Sequence, residues 1–427
     1  MNIQTSILKN GIRIVTSTIP HVESVTMGIW TGVGSRYEPR QVSGISHLIE
    51  HMLFKGTKTR SSKDISREIE GKGGDINAIT QEETTCYYAR VPAEHIESSF
   101  DVLSDIYCNS VIDEKELEKE RKVIIEEIMM YRDQPSYLVE EMLASALWHR
   151  HPLSRPITGT PETLRNLSRD ILLDFIKTHY TTHNTCIAFA GKVEHNKCVE
   201  MVKDKIQNCT ENPPPPFKKI TNNIKQIPLS WKTKEVEQTH IALGIRLPFG
   251  YHDPQKYALK LLNVILGENM SSRLFTTVRE KYGLAYSIQS SLHLFNETGV
   301  LEINAGLDHN QTFKGLQLIL SETGKIKQRP VSSRELKLAK DYVIGSIKLG
   351  LESTSYQMLW IGENMSFFNR VIMPEEIISQ INAVTQDDIQ SLARRIIKNT
   401  QTSLAIIAPD FTRSDADKLR KFLQILN

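Results

Sequence analysis

Residues 167–191, LSRDILLDFIKTHYTTHNTCIAFAG, decide the fold class of this 427-residue chain. The stretch reads as an amphipathic helix running into a short buried strand. A second copy of that pattern stands at 384–408, VTQDDIQSLARRIIKNTQTSLAIIA, with Ile389 in the place of Ile171. Nearer the start, VTMGIWTGVGSRYEPRQ (25–41) has a partner in THIALGIRLPFGYHDPQ (239–255). Both run as an apolar strand, a turn, then an acidic residue and a proline, which sets Pro254 against Pro39. The step from Pro39 to Pro254 nearly equals the step from Ile171 to Ile389, although the two pairs lie far apart along the chain. Nearly equal offsets of that kind point to an internal duplication. Between the copies, CTENPPPPFKKITNN (209–223) carries four prolines that fit neither a helix nor a central strand. The expected organisation is therefore a domain over 1–210, a Pro-rich linker over 211–225 acting as a hinge, and a homologous domain over 226–427.

Strand-like and helix-like stretches do not alternate strictly within each half. INAITQEETTCYYARV (76–91) has the Thr and Tyr enrichment of a strand pair, whereas KELEKERKVIIEEIMMYRD (115–133) has helical spacing. The fold class expected is α+β, with mostly antiparallel sheets flanked by helices. Composition narrows the function. Lys+Arg 52 against Asp+Glu 50 leaves a net charge of +2, which offers no electrostatic case for nucleic acid or an anionic membrane. Five scattered cysteines with no C-x-x-C pair suggest neither a disulfide framework nor a cysteine zinc site. No run approaches the ~18 apolar residues of a membrane span, and the first residues lack a signal-peptide pattern. A cytoplasmic location is the expectation.

The chemistry gathers in GISHLIEHMLFKGT (44–57), which sets His47, Glu50 and His51 among Ile45, Leu48, Ile49, Met52, Leu53 and Phe54. Polar groups in such a run need partners if buried. The duplication sharpens the point. The offset that carries Pro39 to Pro254 carries these three places to Leu262, Ile265 and Leu266. The scaffold thus does without the polar trio. On a helix, positions four apart share a face, so His47 and His51 can direct two imidazoles at one cation with Glu50 beside them. Zinc takes about four ligands, and catalytic sites commonly draw three from protein. The third is sought in ERKVIIEEI (120–128). With Glu120 at zero and about 100° per residue, Glu127 falls near −20°, Ile124 near 40°, Val123 near −60° and Glu126 near −120°. Glu120, Val123, Ile124 and Glu127 therefore form a stripe expected to face inward, with Glu127 as third ligand and Glu120 holding a ligand histidine in its tautomer.

These motifs resemble the pitrilysin, insulysin and mitochondrial-processing-peptidase group of inverzincin metallopeptidases, whose signature is His-x-x-Glu-His. The likeness spans nearly the whole chain: GVGSRYEP with GISHLIEHMLFKGT, GGDINAITQEETTCYYARV, ERKVIIEEI, HPLSRPITGTPETL and SSRLFTTVREKYGLAYSIQSS. It implies two homologous domains closing as a clamshell around a substrate cavity. It implies one zinc per chain on His47, His51 and Glu127, with Glu50 as general base and Glu120 as the second acidic position. INAITQ is then the edge strand that receives the peptide, so Asn77 and Ala78 are substrate contacts, with Phe54 as a third. Arg279 and Tyr286, seven residues apart, match the family's carboxy-terminal pair that contacts substrate and oxyanion. A homodimer follows from the resemblance alone. The long Gly-rich loop of the processing peptidase's noncatalytic subunit is missing, since LGENMSSRLF (266–275) is short there. The reading is a zinc endopeptidase acting on extended, unstructured peptides bound by strand addition. Its rivals are a processing peptidase for one precursor and a catalytically silent scaffold subunit.

Overall fold

The computed structural model describes residues 1–206, 210–221 and 228–423. Part of the expected 211–225 linker lies outside them. Two sheets carry the architecture. The first has strand order β1 (Asn2–Ile7), β2 (Arg13–Thr18), β6 (Thr185–Gly191), β3 (Ser24–Thr31), β5 (Thr85–Pro92) and β4 (Asp75–Thr80). The second runs β7 (Leu229–Thr233), β11 (Thr402–Ala408), β8 (Gln238–Leu247), β10 (Gly299–Asp308) and β9 (Ala285–Leu294). Leaving β1 aside, the two orders correspond strand for strand. Each has one parallel pair, β2 with β6 and β7 with β11, and antiparallel pairing elsewhere. The repeat read from the sequence is thus a repeat of topology, α+β as expected.

The central strands read as unbroken apolar runs because both sheet faces are covered. In the first sheet, Val25, Met27, Ile29, Tyr87 and Phe189 pack with Leu48, Ile49, Phe100 and Val202 of neighbouring helices. The opposite face, with Val15, Trp30, Cys86, Cys186 and Ala188, packs on Met358, Ile361 and Met365 of helix Thr354–Phe368. That helix comes from the carboxy-terminal half of the chain. The second sheet is covered reciprocally. Leu138, Val139, Leu143 and Leu147 of helix Pro135–Leu147, from the amino-terminal half, pack on Ala242, Val300, Ala405 and Ile407. A glycine on a central strand of each sheet permits the crossings. A Cβ on Gly28 would stand 2.5 Å from Met358 Sδ, and one on Gly244 would stand 2.6 Å from Leu147 Cδ1.

The exchange redraws the expected domains. One compact unit comprises Met1–Ile128, Pro156–Lys218 and Ile347–Pro374, and the other Met129–Arg155, Lys219–Ser346 and Glu375–Asn427. The chain therefore passes between the units five times, not once through a single linker. Nor is the Pro-rich stretch loose where it is described. Phe217 packs edge-on to Tyr37 and lies 4.1 Å beneath the Arg36 guanidinium, and Arg36 Nη2 donates to Lys218 O. Apolar burial decided this: each exchanged helix covers a sheet face that its own half leaves open. Among the described residues, no helix is long and apolar enough to cross a membrane.

Candidate metal centre

The motif forms helix Ile45–Leu53. Ile45, Leu48, Ile49, Met52 and Leu53 are buried on one face, while His47, Glu50 and His51 are half-buried on the other. The helix start is held tightly. Glu38, itself buried, accepts from Gly44 N at 2.8 Å and Ser46 N at 2.9 Å, satisfying amides that the helix leaves open. Gly44 has φ +94, and a Cβ there would stand 2.7 Å from Thr158 O. Thr163 Oγ1 donates to Ser43 O at 2.7 Å, so the segment around 158–163 grips the turn from the other side. Glu38 carries no signal a reading of the motif could catch, because its partners are backbone groups. Glu38→Gln keeps the shape but sets an amide nitrogen against one of these donors. A stability loss of about 2 kcal/mol is expected, read by denaturant unfolding; an unchanged midpoint would mean the cap is dispensable.

The two imidazoles lie with ring centroids 4.7 Å apart. Glu127 reaches them from helix Glu114–Asp133, its Oε2 at 4.0 Å from His47 Nε2 and 3.8 Å from His51 Nε2. One donor atom from each of the three residues falls within 4.8 Å of the others, the one such grouping of His, Cys, Asp or Glu among the described residues. None of these separations is a hydrogen bond. Ligand atoms sharing one zinc at about 2.1 Å stand roughly 3.4 Å apart, so Glu127 would close on each imidazole by about half an ångström to share an ion with them. Burial, and then the neighbouring His51, hold His47 down to about 4, which keeps its imidazole neutral as a ligand requires. Glu50 is pushed up from the usual carboxylate range, chiefly by burial and further by Glu127. Thr80, at the end of β4, opposes that shift, although its hydroxyl makes no hydrogen bond of good geometry.

The inward stripe of the long helix differs from the one expected. Leu117, Glu120, Ile124 and Ile128 are buried, while Val123 is 49% exposed. The periodicity was right about the relative angles; the inward direction lies on the Ile124 side, so Val123 turns outward and Glu127 sits at the stripe's edge. Glu120 Oε2 accepts from His51 Nδ1 at 3.1 Å, leaving Nε2 as the free ligand atom. Its other oxygen meets Lys55 Nζ at 2.7 Å. Lys55 was absent from the sequence reading, although its place four residues beyond His51 was a usable signal.

Residues 13–161 match Insulinase (Peptidase family M16), and 166–343 match the Peptidase M16 inactive domain. A protein of Bacillus subtilis described as an uncharacterized zinc protease, YmxG, is 37% identical over 409 residues, covering 94% of this chain and 97% of that one. The chain belongs to peptidase family M16. M16 membership brings with it a zinc-dependent protease. Among solved structures, a protease from Helicobacter pylori is similar in fold (TM-score 0.87, 22% identity, covering 96% of this chain and 99% of that one). So is a chain of complex III2 from Candida albicans (TM-score 0.83, 18% identity, 98% and 99% covered). Fold likeness at that identity therefore does not separate enzyme from subunit.

The remaining expected site residues divide between the two units. Asn77 and Ala78 lie on β4, the outer strand of the first sheet, which among the described residues pairs only with β5. Asn77 is exposed and turns its Oδ1 back to accept from Ala78 N at 2.8 Å. Phe54 follows the motif helix, half-buried, with its ring tilted against Tyr87 at 6.2 Å. Arg279 and Tyr286 belong to the second unit, where both line one cavity; Tyr286 is 76% exposed and the Arg279 guanidinium stacks over Phe275 at 4.7 Å. The matching segment for the metal helix is Lys256–Asn263 continued by a wider turn over Val264–Glu268, with Leu262, Ile265 and Leu266 all buried. In the M16 inactive half, the trio is replaced by core.

The Lys55–Glu120–His51 chain yields a test. Glu120→Gln removes the charge that holds the His51 N–H, and a loss of about 10–100-fold in zinc affinity is expected. Lys55→Met should cause a smaller loss in the same direction. Competition against a chromophoric chelator reads both, and unaltered affinity in Glu120→Gln would show the carboxylate to be a bystander.

Proposed function

We propose that the protein is an endopeptidase that holds one zinc ion per chain on His47, His51 and Glu127 and cuts extended peptides laid along β4. The convergence of those three donor atoms from two helices carries the reading. Zinc held there supplies Lewis acidity, polarising a peptide carbonyl and making a water easier to deprotonate. Glu50 accepts that water's proton on its carboxylate and passes it to the leaving amine; its raised affinity for protons suits both tasks. Glu120 keeps the His51 proton on Nδ1. The substrate is recognised through its backbone, because β4 has a free edge and ends at Thr80, beside Glu50. That mode excludes segments already committed to a fold.

Strand addition has a direct test. Short unstructured peptides should be cut at internal bonds, and a copy N-methylated at backbone positions flanking the cut should resist. Cleavage confined to chain ends would remove the endopeptidase assignment, and equal cutting of the N-methylated copy would remove strand addition.

A further inference from the structure

Residues 158–169 touch both helices that carry the proposed metal donors, and these contacts fall within the first compact unit. On one side they hold the turn before helix Ile45–Leu53. Thr163 Oγ1 donates to Ser43 O, and a Cβ on Gly159 would stand 2.4 Å from that same oxygen. On the other side, Arg121 reaches out of helix Glu114–Asp133, one residue past Glu120. Its Nε donates to Leu164 O at 2.9 Å and its Nη2 to Leu167 O at 2.8 Å. Both leucines are fully buried in the core that also holds Leu48, Leu117 and Ile124. The start of the long helix is gripped as well. Ile112, two residues before it, is buried with φ +47, a conformation that costs a β-branched residue strain. Arg169 donates to the carbonyls on both sides of that strain, Nε to Ile112 O at 2.9 Å and Nη2 to Val111 O at 3.1 Å. Val111 N in turn donates to Gly56 O at 3.2 Å, just beyond the motif helix.

Apolar packing holds helices together without fixing where along each other they stop, because burial is non-directional. Hydrogen bonds to placed carbonyls do fix it. Arginine suits that task, since its planar fork meets two carbonyls at once, whereas a lysine ammonium is a single point of charge. A metal site tolerates little error, with donors needed within about 0.5 Å of their working places. We infer that Arg121 and Arg169 are positioning residues for the metal, setting through residues 158–169 the gap that Glu127 must close to His47 and His51. Each arginine commits its Nε and Nη2 to backbone carbonyls, so its effect on the ion passes through the helices. That role presupposes the zinc reading.

Arg121→Lys and Arg169→Lys keep the charge and remove the fork. Each should weaken zinc about tenfold in competition against a chromophoric chelator. Cadmium(II), a larger ion whose longer bonds need less closing, should lose no more than about twofold. A variant that only loosens the fold weakens both ions alike. Thr16→Val supplies that control, because Thr16 is buried on β2 and bonded to His195 Nδ1 at 2.9 Å. It should lower the melting temperature and leave the ratio of zinc to cadmium affinity in place. Should either lysine variant fail to fold, Thr163→Val removes one hydroxyl from the same segment and should cost zinc about threefold, again more than cadmium. Zinc affinity within about twofold of wild type in the variants, or equal losses of zinc and cadmium, overturns the inference. Glu127→Ala, run beside them, separates the two readings. If it binds zinc as the wild type does, the donor assignment falls and the positioning role with it. If it loses zinc while both lysine variants keep it, the arginine assignment falls alone.

Discussion

Replacing Glu50 by glutamine is expected to leave zinc bound at about one per chain and to lower peptide cleavage about 10³-fold. Loss of a positioned base is worth roughly 10²–10⁴ in rate, and each factor of ten corresponds to about 1.4 kcal/mol of barrier. The two properties separate because Glu50 is not one of the three grouped donors, while it stands on the same helix face and beside the end of β4. Glutamine preserves its size and removes its capacity to take a proton. Elemental analysis and initial rates on one unstructured peptide make the check. If cleavage is undiminished, the base is another group and the mechanism above is wrong; if zinc leaves with the activity, Glu50 is a ligand.

Glu127→Ala is expected to lower zinc affinity by more than about 10³-fold, because two imidazoles alone leave the ion short of the three protein ligands a catalytic site uses. Cleavage should fall in step and return only in part at high zinc. The metal-free protein should melt within a degree or two of the wild type, since Glu127 is half-buried and makes no hydrogen bond to its two histidine neighbours. Glu126→Ala, one residue earlier and exposed, is the control and should change nothing. Full zinc affinity in Glu127→Ala would break the ligand assignment.

Much of the site was legible because it is written in local periodicities. Spacings of three and four put His47, Glu50 and His51 on one helix face whatever surrounds the helix, and about 100° per residue relates Glu120 to Glu127 by angle alone. The sister segment, apolar at all three places, showed that the polar trio was not needed for packing. What periodicity leaves open is the direction in which a helix faces. That is why Val123 was placed inward and is exposed, and why Leu117 and Ile128 define the buried stripe in its stead. Groups whose partners are far away in the chain were invisible for a related reason. Thr163, whose hydroxyl reaches Ser43 O across 120 residues of chain, is one; Glu38 is hidden for another reason, because its partners are backbone amides.

By itself the amino-acid order determined the duplication and the α+β class, and it picked out the three residues proposed as metal donors, because each depends on residue type at short, regular spacing. Only the tertiary structure decided the exchange of helices Pro135–Leu147 and Thr354–Phe368, and with it the true extent of each compact unit. An apolar helix face records that it will be buried and not which of two similar sheets will bury it. That choice is made by shape, here with a glycine on each sheet where a Cβ would collide with the crossing helix.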